Sequence, residues 1–190
     1  MVKTIAVTGC IGHIGTTTQA LQAVKTLSRI GYSVCYKEMN KTNYLYNLSK
    51  LYSNAKDAKE FIEYENIIMF KRNSFRFSKE SNFDYIVKDY GAADLESFEE
   101  TSLSEQYTKV VVCGSKPNEI FKTQDLLLNP IYDDAFFIFS FVPESEQASI
   151  VSLMGSRADK TLFTGIIEDP FVYSPESANL FQRILNYKKE

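Results

Sequence analysis

A glycine-rich stretch near the amino terminus constrains the fold of this chain more than any other feature of its sequence. It covers residues 7–21 and reads VTGCIGHIGTTTQAL. The apolar residues 5–7 that lead into it are typical of a buried strand, and the apolar periodicity of residues 16–30, followed by Gly31, predicts a helix. A strand, a glycine-rich turn and a helix together form a common phosphate-binding unit, because the N–H groups of the turn and of the helix start converge on one point.

The glycine spacing allows two interpretations of this unit. Gly9, Gly12 and Gly15 form a TGxxGxxG pattern that is similar to the dinucleotide-binding turn of the extended short-chain dehydrogenases and epimerases. Residues 15–18, Gly-Thr-Thr-Thr, resemble instead the Gly-Lys-Thr-Thr tetrad in the P-loop of the MinD/ParA-like ATPases. The first resemblance implies an oxidoreductase that binds NAD, and the second implies a P-loop nucleotide-binding domain.

The position of the next acidic residue favours the P-loop interpretation. A dinucleotide-binding fold places its ribose-binding acid about 20 residues beyond the glycines, whereas Glu38, the first acid after the second predicted strand, follows Gly15 by 23 residues. This longer interval is similar to the MinD/ParA arrangement, in which an acidic motif ends the second strand. Two Tyr-x-x-x-Lys pairs, which a dehydrogenase would need, come too early in the chain for that family: Tyr46 with Lys50, and Tyr52 with Lys56.

The segment 83–91, FDYIVKDYG, carries the second strong signal. It is an apolar strand pattern that reaches Asp89, with Gly91 two residues later. This pattern resembles the Walker B segment of the MinD/ParA-like family, whose Asp holds the water shell of Mg²⁺ beside the P-loop. The resemblance implies that Glu38 and Asp89 end neighbouring strands and that both face residues 15–17.

The rest of the chain alternates apolar strands with helical patterns. Apolar runs predict strands at 33–37, 67–70, 110–113, 135–142 and 161–167. Periodic segments predict helices at 44–52, 57–64, 116–128, 143–155 and 175–187. Strands that alternate with helices form a mostly parallel sheet. We therefore predict a three-layer, doubly wound α/β fold of the P-loop NTPase kind, with residues 1–190 in a single domain.

The composition is that of a folded protein, with 44% hydrophobic and 24% charged residues. A net charge of −3 provides no general attraction to nucleic acid or to anionic membranes. Three scattered cysteines suit a reducing compartment, and the sequence contains neither a signal peptide nor an apolar span long enough for a membrane. We therefore expect a cytoplasmic protein without an integral membrane segment.

One basic cluster contains interleaved aromatic residues, a combination that can bind nucleic acid. Given the acidic total charge, the favoured interpretation is a solvated edge or hairpin, and binding to nucleic acid is not expected. The residues of the cluster are Lys71, Arg72, Phe75, Arg76, Phe77 and Lys79.

The resemblance to the MinD/ParA-like family implies a nucleotide site built on the glycine-rich stretch. The ligand that it implies is ATP or ADP with Mg²⁺, and a site without any cofactor remains open. Gly15 matches the tight glycine of the P-loop, and Thr17 and Asp89 stand where the family holds Mg²⁺. The complete set of expected binding residues is Gly12, His13, Ile14, Gly15, Thr16, Thr17, Thr18, Glu38 and Asp89.

The same resemblance is incomplete at the positions that carry charge. Thr16 stands where the family has its phosphate-binding lysine, and Ile11 stands where it has an additional lysine. Asn40 replaces one carboxylate of the acidic motif, and Ser140 is the nearest match to the Asn that reads adenine. A hydrogen bond to a charged group is worth about 1.5–3 kcal/mol, so its loss weakens phosphate binding by about 10- to 100-fold. Efficient ATP hydrolysis is therefore not expected.

These observations predict a degenerate MinD/ParA-like protein. Its function would be that of a nucleotide-binding or pseudo-ATPase module that positions or regulates partner machinery for secretion, pilus assembly, conjugation or DNA partitioning. A slow true ATPase of the same family and an NAD-binding oxidoreductase remain the alternatives. We expect protein partners and a possible homo-oligomer. In the family the additional lysine reaches across a nucleotide sandwich dimer, so Ile11 implies that a dimer forms elsewhere, with the aromatic segment 44–77 as the first candidate.

Overall fold

A nine-stranded sheet organises the part of the chain that the computed structural model describes, residues 2–72, 74 and 82–187. Along the sheet the strands lie in the order β3-β4-β5-β2-β6-β1-β7-β8-β9. All neighbours from β5 to β9 in this order are parallel, and β3 and β4 are antiparallel additions at one edge. The strands are β1 (Lys3–Gly9), β2 (Val34–Glu38), β3 (Lys56–Asp57), β4 (Phe61–Tyr64), β5 (Ile67–Phe70), β6 (Tyr85–Ala92), β7 (Thr108–Cys113), β8 (Phe136–Ser140) and β9 (Thr161–Thr164).

Helices connect the parallel strands. They are α1 (Thr16–Arg29), α2 (Tyr44–Leu51), α3 (Glu100–Ser104), α4 (Pro117–Leu127), α5 (Glu144–Met154) and α6 (Pro175–Tyr187), with 3-10 turns at Pro130–Tyr132 and Gly155–Lys160. The predicted α/β class with a doubly wound, mostly parallel sheet is confirmed. The helix predicted over residues 57–64 is wrong, since this segment forms β3 and β4, and α3 was not predicted.

The core lies on the central strands, which are buried along their length. Residues 5–7 of β1, 110–113 of β7 and 136–139 of β8 all have exposed fractions of 2% or less. Because both faces of these strands are covered, their sequences are continuous apolar runs rather than alternating ones. This burial fixes β1 between β6 and β7, and the glycine-rich loop follows at its carboxyl end.

Gln22 on α1 ties this helix to a segment that is distant in sequence. Its side chain is fully buried and donates to the carbonyl oxygens of Pro170 and Val172, at 3.0 Å and 2.7 Å. Its Oε1 accepts from the backbone N–H of Ser174 at 3.1 Å. The helix that begins at the loop is thereby held to the chain that enters α6.

Candidate functional site

The loop that joins β1 to α1 folds back tightly over the end of its own strand. A Cβ atom on Gly9 would lie 2.4 Å from Oγ1 of Thr16 and 2.6 Å from Cγ2 of Ile14, so only glycine permits this approach. Gly15 precedes the first turn of α1 with φ 94°, and His13 also has a positive φ, 62°. The first turn of α1 contains no acidic residue. Its unpaired N–H groups can therefore serve an anion.

A cavity of about 470 Å³ opens beside this loop. One wall comes from the loop and the start of α1, and the other comes from the chain after β2 and the end of β6. Its lining residues are Gly12, His13, Gly15, Thr16, Thr17, Thr18, Asn40, Thr42, Tyr44, Gly91, Ala92 and Leu95. Six of the nine predicted binding residues thus line one cavity. The other three do not line it: Ile14 packs in the core, and Glu38 and Asp89 are buried beneath the lining residues.

Asp89 is fully buried and accepts several hydrogen bonds. Its Oδ2 accepts from the hydroxyls of Thr17, at 2.6 Å, and Tyr36, at 2.7 Å, and its Oδ1 accepts from the backbone N–H of Gly91 at 2.9 Å. Burial raises the pKa of the Asp89 carboxyl above its usual value, while these donors and the Asn40 amide act in the opposite direction. The carboxylate is therefore a buried acceptor that its neighbours satisfy.

Glu38 lies beside Asp89 but serves a different element. The two residues are register partners on the adjacent parallel strands β2 and β6, as the sequence resemblance implied for neighbouring strands. Oε1 of Glu38 accepts from the backbone N–H of Leu45 at 3.3 Å, in the first turn of α2. Burial raises the pKa of the Glu38 carboxyl, and the backbone donors of α2 oppose that shift. Its carboxylate thus anchors α2 to the sheet.

Asn40 lines the cavity beside these two acids. Its Nδ2 donates to the backbone oxygen of Asp89 at 3.1 Å, and its Oδ1 accepts from the N–H of Thr42 at 3.0 Å. A side chain at Gly91 would meet Cβ of Asn40 at 2.8 Å, so a glycine is required opposite it. At this position the amide supplies both a donor and an acceptor, which a carboxylate could not do.

The pKa of Glu38 gives a prediction for the dependence of stability on pH. Since burial raises the folded-state pKa of this acid, the folded state binds the proton more tightly than the unfolded chain does. The free energy of unfolding of the wild type, relative to Glu38→Gln, should therefore rise as the pH falls from neutral towards 4.5, the ordinary value for Glu. Calorimetric unfolding of both proteins across this range measures the difference. A difference that stays constant or falls would contradict it.

The two positions at which the resemblance implies lysines hold neutral and largely buried residues here. Thr16 is 8% exposed, with its Oγ1 directed at Gly9, and Ile11 packs against the core. The described residues that line the cavity include no Lys, Arg, Asp or Glu. Among the described residues, the cavity therefore offers an anion backbone N–H groups, threonine hydroxyls and the imidazole of His13.

Several residues of the site were not predicted from the sequence, and two of them are tyrosines. Tyr36 donates to Asp89 from the fully buried face of β2, and Tyr44 lines the cavity from the first turn of α2. Burial raises the pKa of both hydroxyls, and the nearby charge of Asp89 raises it further. The strand period of two does put Tyr36 on the face of Glu38, which was the available signal.

The other sequence candidates lie outside this cavity. None of the four residues of the Tyr-x-x-x-Lys pairs lines it; Lys50 lies over the ring of Tyr46 at 4.3 Å, and Lys56 pairs with Glu63 at 3.2 Å. In the basic cluster, Lys71 pairs with Asp57 and Arg72 pairs with Glu99 at 2.7 Å. The remaining members of that cluster lie outside the described residues: Phe75, Arg76, Phe77 and Lys79.

Comparison with known proteins gives no sequence match but clear structural ones. The sequence matches no protein-family model and no curated protein. A chain of the MinC:MinD cell division protein complex of Aquifex aeolicus aligns with a TM-score of 0.68 at 14% identity, over 100% of this chain and 96% of that chain. A Borrelia burgdorferi plasmid partition protein bound to AMPPNP aligns with 0.66 at 15%, over 100% and 99%. ParA of pNOB8 bound to nonspecific DNA aligns with 0.64 at 9%, over 100% and 99%.

This chain has the MinD/ParA fold. The likeness extends along its whole length, so the resemblance inferred from the glycine-rich stretch and the acid spacing is confirmed for the fold. At identities of 9–15% it shows architecture alone. Among the described residues of this MinD/ParA fold, no helix combines the length and apolarity that a membrane crossing requires.

Proposed function

We propose that this protein is a degenerate MinD/ParA-like module that binds a nucleotide at residues 12–18 and acts on partner machinery without efficient ATP hydrolysis. The observation that carries the proposal is the loop itself, which Gly9 allows to fold over β1 so that six predicted residues line one cavity. In the described part of the chain, no lysine or arginine lines the same cavity. Backbone donors can bind a phosphate, but they do not supply the charge that fast phosphoryl transfer needs.

The ligand that we propose is ATP or ADP. One solved structure with this fold is bound to AMPPNP, which makes an adenine nucleotide the first candidate for this chain. The loss of one charged hydrogen bond weakens phosphate binding by about 10- to 100-fold, so we expect a weak site rather than none. The slow true ATPase remains the second candidate, because Thr17 and Asp89 are in contact at 2.6 Å.

The partners that we propose are proteins. One neighbouring structure is a MinC:MinD complex, and another is a ParA bound to nonspecific DNA. The net charge of −3 and the ion pairs of Lys71 and Arg72 favour the protein partner over nucleic acid for this chain. Exposed tyrosines on and beside α2, Tyr46 at 55% and Tyr52 at 40%, make this surface the first candidate for a partner or for a second copy.

A thermal-shift panel of ATP, ADP, GTP and NAD tests the proposed function. We expect ATP or ADP to raise the Tm and NAD to have no effect. Gly15→Val should abolish the shift, because φ at Gly15 is 94°, where a β-branched residue is strongly strained. A rise in Tm with NAD alone would favour the oxidoreductase. No shift with any nucleotide, and no binding by calorimetry, would refute nucleotide binding.

A further inference from the structure

We infer that this site binds its phosphate ligand without a divalent metal, because Tyr36 and its neighbours already occupy the carboxylate that a metal would need. The inference rests on the proposed function and narrows its ligand to a metal-free nucleotide. The feature behind it is the set of hydrogen bonds around Asp89, which we call the Asp89 cluster: Thr17, Tyr36, Asn40, Asp89 and Gly91.

The acceptor capacity of Asp89 is almost used up. A carboxylate has about four lone-pair positions. Two of them, on Oδ2, accept from Thr17 and Tyr36, and a third, on Oδ1, accepts from the Gly91 N–H. The Asn40 side chain donates to the backbone oxygen of the same residue. A metal held through its water shell needs free acceptor positions directed at the ligand, and this carboxylate has no exposed surface.

The hydrogen bond from Tyr36 to Asp89 is kept when a ligand binds, whereas the hydrogen bond from Thr17 can be broken. Thr17 lines the cavity, so its hydroxyl can turn towards a ligand. Tyr36 has no exposed surface, and its hydroxyl donates to Asp89 at 2.7 Å from within the core. Breaking that bond would leave a buried hydroxyl without its acceptor, which is unfavourable because no water reaches it. Asp89 therefore stays bonded to Tyr36 when a ligand enters.

No other acid compensates for Asp89 among the described residues. Glu38 is committed to the first turn of α2 through the N–H of Leu45, and neither acid lines the cavity. No group of three or more His, Cys, Asp or Glu residues in the described part of the chain could hold a metal ion. The donor set thus fits a phosphate on backbone N–H groups and does not fit Mg²⁺.

Calorimetric titration of ADP into wild-type protein, in EDTA and in excess Mg²⁺, tests the inference. We expect the Kd in EDTA to be equal to or tighter than the Kd in excess Mg²⁺, since the protein offers the metal no ligand and Mg²⁺ in solution competes for the ADP. A Kd that is about tenfold or more weaker in EDTA would overturn it. Absence of binding in both buffers would refute the proposed function instead. In that case, binding of a metal ion to the nucleotide-free protein tests the inference.

Manganese EPR on the nucleotide-free protein provides that second readout. Wild-type protein should leave Mn²⁺ in solution. Retention of Mn²⁺ that Asp89→Ala abolishes would overturn the inference, whether or not a nucleotide binds. This measurement needs only wild-type protein and one variant, and it does not depend on turnover.

Tyr36→Phe, with Tyr132→Phe as its matched control, tests the role of the hydroxyl. Both rings are buried, with exposed fractions of 0% and 1%, but Tyr132 lies in the 3-10 turn 130–132 and contributes nothing to the cavity. Tyr36→Phe frees one acceptor position on Oδ2 of Asp89. This variant should therefore bind ADP about tenfold more tightly with Mg²⁺ than in EDTA. Tyr132→Phe should behave as the wild type. Equal dependence on Mg²⁺ in both variants would show that Tyr36 does not exclude the metal.

Discussion

Purified protein is expected to hydrolyse ATP no faster than the uncatalysed background. The reason for this expectation is that Thr16 and Ile11 stand where the resemblance to the MinD/ParA-like family implies lysines that stabilise the transition state. A single arginine supplied to a phosphoryl-transfer site changes the rate by about 10³–10⁵-fold. Neither lysine nor arginine is found among the described residues of the cavity lining, so the expected deficit relative to a P-loop with its lysines is at least of this order.

Phosphate release measured over hours, with and without Mg²⁺, checks this expectation. Thr16→Lys restores the charge and should tighten nucleotide binding by about 10- to 100-fold if the new side chain reaches the phosphates. The substitution also removes the Oγ1 that lies against Gly9, so the longer side chain must leave this tight space. A Mg²⁺-dependent rate in the wild type that disappears in Asp89→Ala would contradict the pseudo-ATPase and support the slow ATPase.

Gly9→Ala is expected to destroy the site by displacing the loop. The new Cβ would lie 2.4 Å from the Thr16 hydroxyl oxygen and 2.6 Å from the Ile14 methyl carbon, distances at which atoms must move apart. Overpacking of this kind costs about 1–3 kcal/mol. Because Thr16 opens α1 and lines the cavity, the same shift should weaken nucleotide binding by at least about tenfold.

Gly31→Ala is the matched control for this change. It is the same substitution at the far end of α1, where φ is 98° and the space is open, so it should lower stability through backbone strain alone. Chemical denaturation gives the free energy of unfolding of both variants, and calorimetry gives their Kd values. If Gly9→Ala lost stability but bound nucleotide as tightly as Gly31→Ala, the loop would not be the binding site.

The parallel strands could be predicted because burial on both faces leaves a simple signal. Residues 110–113 of β7 and 136–139 of β8 are continuous apolar runs, and the glycine-rich stretch defines β1 and α1 directly. The hairpin of β4 and β5 was predicted only in its second strand, at residues 67–70. Its two-residue turn, Glu65 and Asn66, has φ values of 48° and 60° without a glycine, whereas Asn-Gly or Asp-Gly is the usual sequence there. The apolar residues before that turn therefore looked helical.

The site could be predicted only in part because its acids act through tertiary contacts. The sequence indicates that Glu38 and Asp89 lie on neighbouring strands, and the strand register pairs them, although Glu38 bonds to α2 and Asp89 to Thr17. It does not indicate that the Tyr36 hydroxyl crosses from β2 to Asp89 on β6, since that contact depends on how two strands pack. Asp89 also precedes the end of β6 by three residues, and the register with β1 shifts between Val7 and Thr8.

The contacts of Gln22 have a consequence for local opening. Its three hydrogen bonds hold the chain at 170–174 to a fully buried point on α1, so that chain cannot detach without exposing unpaired polar groups in the core. The Ser174 amide should therefore exchange its hydrogen with solvent only when α1 itself opens, as slowly as the amides of the helix. We therefore expect the segment 170–174, between β9 and α6, to belong to the same cooperative folding unit as α1 and the glycine-rich loop.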